Sequence, residues 1–147
     1  LICGAPLFDS SMPTSRRYGR PLNHAMVWLE TLSFDVVDSM CGFRVYPLAP
    51  TLALLDSQRL GRRMNFDTEI LVRLHWREVP MGWLPTRVYY PHDGVSHYRV
   101  FFDNVRAVAL HLRLLAEMLV RLPVLLWKKS LRTGEAQQQE ENRNANA

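Results

Sequence analysis

The sequence has little of what marks several protein classes. Two cysteines, Cys3 and Cys41, occur in 147 residues. Neither has the spacing of a zinc site or of a disulfide framework, so two free thiols in a reducing compartment are the expectation. Charged residues make up 22% against 48% hydrophobic, which excludes a chain that stays unfolded and suits one packed domain. The opening run Leu1-Ile2-Cys3-Gly4-Ala5-Pro6 is apolar, but it lacks the basic leader and the length of a signal peptide. Acidic residues are missing between Asp9 and Glu30, where Arg16, Arg17 and Arg20 fall. A basic loop of this kind attracts an anion. No zinc finger, helix-turn-helix or aromatic RNA-binding pattern accompanies it, so phosphate or diphosphate on a small ligand or lipid fits, and nucleic acid does not.

Along the chain, residues 1–6 suit a short buried strand, and the turn formers Asp9-Ser10-Ser11 and Pro13-Thr14-Ser15 suit a loop through Pro21. Asn23 is placed to cap a helix to about Phe34, with Met26, Trp28, Leu29 and Leu32 on its apolar face. His24, in its first turn, reads as a surface or packing residue. A second helix, Thr51 to about Leu60 with Leu52, Leu55 and Arg59 spaced at three and four residues, is expected to end at Gly61. Asp67 would cap a third helix to about Arg77, with Ile70, Leu71 and Leu74 inward and Arg73 and Arg77 outward. Pro80 and Pro85 confine the next extended piece, with Thr86–Tyr90 as its best strand, to a sheet edge.

One stretch has the makeup of a site: Asp38-Ser39-Met40-Cys41-Gly42-Phe43-Arg44-Val45-Tyr46-Pro47. Gly42 permits a hinge or a close approach to a ligand, Phe43, Val45 and Tyr46 favour extended structure, and Asp38 and Arg44 would stand at the strand's mouth. The plainer reading is a turn into an edge strand with a solvated arginine. His92, Asp93 and His97 could place imidazole and carboxylate ligands on one loop, but their spacing matches no established metal motif, and no metal ligands are assigned.

The Asp38-to-Phe43 segment resembles the Asp-x-x-x-Gly-Phe stretch of family two glycosyltransferases of the polyprenyl-phosphate sugar synthase type. Ser15-Arg16-Arg17-Tyr18 resembles that family's acceptor loop with one extra arginine. Phe66-Asp67-Thr68-Glu69-Ile70, Glu78-Val79-Pro80 and Gly94-Val95-Ser96-His97 match further elements in the same order. His97 stands where the family usually has lysine, and the Asp-x-Asp metal motif and nucleotide-binding strands have no counterpart. The resemblance implies an α/β chain: the C-terminal half of a GT-A fold, a partial mixed sheet with flanking helices, ending in a long amphipathic helix. Its parts would be an acceptor-side half over 1–97, a helix and basic segment over 98–133, and a disordered polar tail over 134–147.

By the same resemblance, Asp38 lies at the reaction centre as a base or as an orienting group. Arg16 or Arg17, with Tyr18, Arg44, Ser96 and His97, binds acceptor or donor phosphate. Glu69 is either an acceptor-side acid or an acid favoured by the helix dipole. The implied reaction is inverting sugar transfer from a nucleotide sugar to a polyprenyl phosphate or other membrane lipid. A Mg²⁺ or Mn²⁺ ion would be held mainly by residues outside this chain, and the fragment alone would be inactive. The alternative is a non-catalytic membrane-surface binding or assembly module.

Residues 98–122 carry the longest periodic pattern: Tyr98, Phe101, Phe102, Val105, Val108, Leu112, Leu115, Leu119 and Leu122 recur at three and four residues. Three charges within residues 107–126 would cost on the order of 8–10 kcal/mol at the bilayer centre, which disfavours spanning. An interfacial helix, followed by Trp127-Lys128-Lys129, suits a protein on the cytoplasmic, inner face of a membrane. A core helix or a contact between subunits of a homo-oligomer would use the same pattern.

Overall fold

In the computed structural model, residues 1–8, 14–89 and 99–145 are described, with side chains from 1–8, 19–89, 99 and 101–127. The chain is α/β, with a small mixed sheet of three strands and four helices. The central strand β1 (Ile2–Phe8) pairs in parallel with β3 (Gly82–Val88) and, over Ile2 and Cys3, antiparallel with the two-residue β2 (Arg44–Val45). The parallel pairing keeps strict register from Ile2 opposite Gly82 to Phe8 opposite Val88. Both strands therefore end at the same margin of the sheet. β1 continues past Pro6, where a shorter strand was expected, because beyond Cys3 it has a neighbour on one side only and a missing N–H is tolerated. The strand expected at Thr86–Tyr90 instead runs Gly82–Val88, so Pro85 lies inside β3, which is an edge strand as its prolines suggested. Gly4 is needed for packing, since a Cβ there would lie 2.8 Å from Cys41 Sγ and 3.0 Å from Thr86 Oγ1.

The helices depart from expectation at their ends. Helix α1 spans Thr14–Thr31 and contains Pro21, so the segment expected to be a loop is helical from Thr14. The proline forgoes one backbone bond, and tertiary contacts override that loss: Arg20 and Asn23 reach partners on the Asp38 turn from this helix. Helix α2 covers Leu48–Ser57, ending at Gln58 rather than Gly61, and buries Thr51 and Leu54, while Leu52 and Leu55 are exposed. Helix α3 runs Met64–Trp76, so Asp67 lies in its first turn and is not its cap. Eight of its residues are buried, which makes it the central helix of the core. Arg73, expected to point outward, is among them.

Helix α4 spans Val100–Ala145 and continues through Pro123 and through residues 134–145, where composition suggested disorder. Ala, Gln and Glu are good helix formers, and extending an existing helix avoids the nucleation penalty. Its buried side is Asp103, Leu110, His111, Leu114 and Met118, packed against α1 and α3. Most of the stripe picked out by periodicity faces away: Phe101, Val105, Val108, Leu112 and Leu119 are all more than half exposed, while Leu115 and Leu122 pack partly against the core. The helix is apolar on two sides, so the period alone does not choose which side packs. Among the described residues, no helix is long and apolar enough to cross a membrane.

Candidate functional site

The Asp38 turn is built by hydrogen bonds onto a single carboxylate. Met40 and Cys41 donate backbone N–H to Asp38 Oδ1 at 2.9 and 2.6 Å, an Asx-type turn. Arg20 grips the same group with both edges of its fork, Nη2 to Oδ1 at 2.8 Å and Nε to Oδ2 at 2.7 Å. His24 Nε2 stands 3.2 Å from Oδ2. Arg20 and His24 lie four apart on α1 and so present to one place. Burial of Asp38, 3% exposed, would raise its carboxyl, but the hydrogen bonds from His24 and Arg20 outweigh it and hold the group far below the usual carboxylate range. Five donors saturate the two oxygens. A base needs a free lone pair and a value near the working pH; Asp38 has neither, so the geometry suits the orienting role.

The turn lies against the sheet. Gly4 N–H donates to Phe43 O at 2.9 Å, and the Arg20 guanidinium stacks 4.7 Å from the centroid of Phe8, the last residue of β1. Asp38 and Arg20 are thereby held near the carboxyl end of β1, the end at which open α/β sheets place ligands. Gly42 meets only open space and has no left-handed backbone, so no hinge function is required of it. Arg44 turns inward. Its Nε donates to Cys41 O at 3.0 Å, its Nη2 to Ser39 O at 2.8 Å and its Nη1 to Asp67 O. It clamps the turn to the start of α3, with its donors directed at carbonyls and not at a phosphate.

Sequence reading missed the partners of Asp38. His24, expected to be a surface or packing residue, also faces Ser39 Oγ through Nδ1 at 2.9 Å, and Asn23 Nδ2 donates to the same hydroxyl at 2.7 Å. The Asp–His–Ser order resembles that of a hydrolytic triad, but Ser39 is fully buried and no substrate can reach its hydroxyl. Beyond Asn23 the chain of polar contacts continues to His111 and Glu30. The available signal was the three-and-four spacing of Arg20, Asn23, His24 and Glu30 on one helical face.

Glu69 is also interior. Its oxygens accept Gly61 N–H at 2.7 Å, Arg73 Nε at 2.8 Å and Arg113 Nη2 at 2.6 Å. Arg73 in turn forks onto Glu117 of α4 at 2.7 and 2.8 Å and reaches Gln58. Pairing with two carboxylates is what lets Arg73 be buried. Glu69 thus ties α3 to α4 and is not presented to the Asp38 turn in any described contact. Arg16, Arg17 and Tyr18 fall in the first turns of α1, where the backbone alone is described, and Ser96, His97, His92 and Asp93 lie outside the described residues. Among the described residues no group of histidine, cysteine and carboxylate side chains forms a metal site.

The chain matches no known family model, no curated protein and no solved structure. Its function therefore has to follow from the site alone.

Proposed function

We propose that the chain is the acceptor-side half of an inverting glycosyltransferase, moving a sugar from a nucleotide-sugar donor to a polyprenyl phosphate or other membrane lipid, and inactive without an N-terminal donor-binding half. The observation that carries the reading is the arrangement around Asp38: a motif that resembles the glycosyltransferase segment is anchored by Arg20 near the carboxyl end of β1, in register with the end of β3. The basic segment that includes Arg16 and Arg17 and the segment that includes Ser96 and His97 each follow one of these two strand ends in the sequence. In this scheme Asp38 orients Arg20 and His24, and the arginines of the segment hold phosphate charge as the nucleoside diphosphate departs. A Mg²⁺ or Mn²⁺ ion, held mainly by the other half, would neutralise the leaving diphosphate.

The outward stripe of α4 favours a peripheral position on the inner face of the membrane, next to a lipid acceptor. Phe101 to Trp127 covers roughly 39 Å of helix, and Val124, Leu126 and Trp127 continue its exposed apolar surface. That observation alone would also serve the second reading, a membrane-surface module without chemistry. The deciding assay follows label from radiolabelled nucleotide sugars, with Mg²⁺ or Mn²⁺, into the lipid fraction of membranes. The expected result is transfer by the longer protein and none by the 147-residue chain alone. Vesicle binding without label transfer from any donor would retire the transferase in favour of the second reading.

A further inference from the structure

The polar contacts behind the Asp38 turn form one unbranched chain, buried at Glu30 and Ser39 and part-buried between. Glu30 Oε1 lies 2.6 Å from His111 Nδ1. His111 Nε2 lies 2.9 Å from Asn23 Oδ1, and Asn23 Nδ2 lies 2.7 Å from Ser39 Oγ. Ser39 Oγ faces His24 Nδ1 at 2.9 Å, and His24 Nε2 faces Asp38 Oδ2 at 3.2 Å. Every link needs one donor and one acceptor, so the hydrogens can be assigned from the fixed end. Asp38 is ionised on Arg20 and can only accept. With a neutral ring, His24 donates through Nε2 and accepts at Nδ1, and Ser39 must give its O–H to that nitrogen. Ser39 then accepts from the Asn23 amide N–H, Asn23 Oδ1 accepts from His111, and His111 carries its hydrogen on Nε2.

This leaves His111 Nδ1 facing Glu30, with one proton between them. If Glu30 were ionised, His111 would be an imidazolium, and Glu30 Oε2 would be a bare anionic oxygen: it has no hydrogen-bond partner, and Glu30 is fully buried. An uncompensated carboxylate oxygen in the core costs far more than an unpartnered carbonyl oxygen. Among the described residues the surroundings supply no other cation. Asn23 on α1 and Trp76 on α3 are neutral, the Trp76 indole donates to the Glu30 backbone carbonyl at 2.9 Å, and Arg73 and Arg121 stack on the Trp76 ring and not on the carboxyl. Among the described residues, burial and His111 are what act on the Glu30 carboxyl.

We infer that Glu30 is a neutral carboxylic acid donating its proton to His111, and that Glu30 and His111 are positioning residues that complete, at the far end of the chain, the hydrogen-bond direction that Asp38 sets through His24. Removing the Glu30 proton asks His111 to donate from Nδ1 instead. That would turn the Asn23 amide, reverse Ser39 and leave His24 without a hydrogen to offer Asp38 unless it gained one.

Two measurements on the intact chain test this. Infrared spectra at neutral pH should contain the carbonyl band of a protonated carboxylic acid that disappears in Glu30→Gln. Nitrogen-15 spectra should give His24 and His111 as neutral rings protonated on Nε2, in wild type and in Glu30→Gln alike, because the glutamine amide can donate to His111 Nδ1 in the same direction. His111→Phe should keep the acid band but shift it, because the Glu30 proton loses its acceptor, whereas Glu30→Gln removes the band, a distinction that packing alone would not make. Absence of the acid band, an imidazolium signature at His111 in wild type, or loss of the His24 tautomer in Glu30→Gln would each overturn the assignment.

Discussion

Replacing Asp38 by asparagine keeps the shape of the side chain and removes its charge, and the surroundings allow the cost to be worked out. The amide oxygen of the new side chain can still accept from Met40 and Cys41, but its N–H₂ takes the place of Oδ2, against Arg20 Nε–H and His24 Nε2. Two bonds involving an ionised carboxylate are lost, each worth about 1.5–3 kcal/mol, and Arg20, whose side chain is 11% exposed, is left without a counter-charge. Breaking one side of a buried pair costs about 3–5 kcal/mol, a large share of the roughly 5–15 kcal/mol that holds a domain folded. Urea unfolding followed by far-ultraviolet circular dichroism at neutral pH should show that loss, and Arg20→Met combined with Asp38→Asn should lose less than the two single changes summed. The effect is also pH-dependent. Because the folded state depresses the Asp38 carboxyl, its contribution is full above the unfolded-state value and disappears as pH falls toward the folded one, so wild type and variant should converge in acid. A neutral-pH difference below about 0.5 kcal/mol, the scale of an ordinary surface change, would refute the claim that this carboxylate holds α1 to the turn. A fall in turnover in Asp38→Asn has to be read beside that stability loss.

The same carboxylate of Glu69 supports a contrast between its two arginines. Arg73→Met, 5% exposed and forked onto Glu117, should cost about 3–5 kcal/mol in chemical denaturation, whereas Arg113→Met, 49% exposed, should cost less than about 1 kcal/mol. Glu78 closes α3 with a φ of 59°, so Glu78→Gly should stabilise the protein by up to about 1 kcal/mol, read as a higher melting temperature. Burial holds the Glu30 carboxyl above the ordinary carboxylate value. The folded state therefore binds the extra proton, and stability should decline as pH rises above the unfolded value, by at most about 1.4 kcal/mol per pH unit, a slope missing from Glu30→Gln. Vesicle co-sedimentation of the complete protein should weaken with Trp127→Ala at all salt concentrations, and with Lys128 and Lys129 changed to Gln only at low salt on anionic lipid; indifference to both would assign the α4 stripe to a protein contact.

Much of the scaffold was legible because its signals are local. The strand-forming residues at Phe43–Tyr46, the prolines that confine β3 to an edge, and the run of Ile70, Leu71 and Leu74 each act over a few residues, and the structure follows them. What escaped depended on partners distant in sequence. Pro21 argued for a break that tertiary packing overrides. Arg73 looked like a surface residue because its second carboxylate, Glu117, lies 44 positions away. His24 and Glu30 fell on the polar side of α1, and a search for an apolar face passes over a helix that docks partly through Asn23, His24 and Glu30. In the candidate site, Asp38 and its turn could be read from spacing, while Arg20 as its counter-ion could not.

The placement of Trp76 has a use beyond the packing it provides. Its ring, 6% exposed, has the Arg73 guanidinium 6.0 Å from the centroid on α3 and that of Arg121 at 5.2 Å from α4, while its N–H is held by α1. Three helices thus meet at one chromophore, and its emission should report their separation. Trp127 is largely solvent-exposed and samples a different environment. Emission from Trp76 should shift to the red when α4 lifts from α1 and α3, whereas docking of the outward stripe should shift Trp127 to the blue. With Trp28 and Trp83 changed to phenylalanine, the protein therefore carries two optical probes, one under α4 and one on its outer surface, able to tell loosening of the core from capture by a surface without any added label.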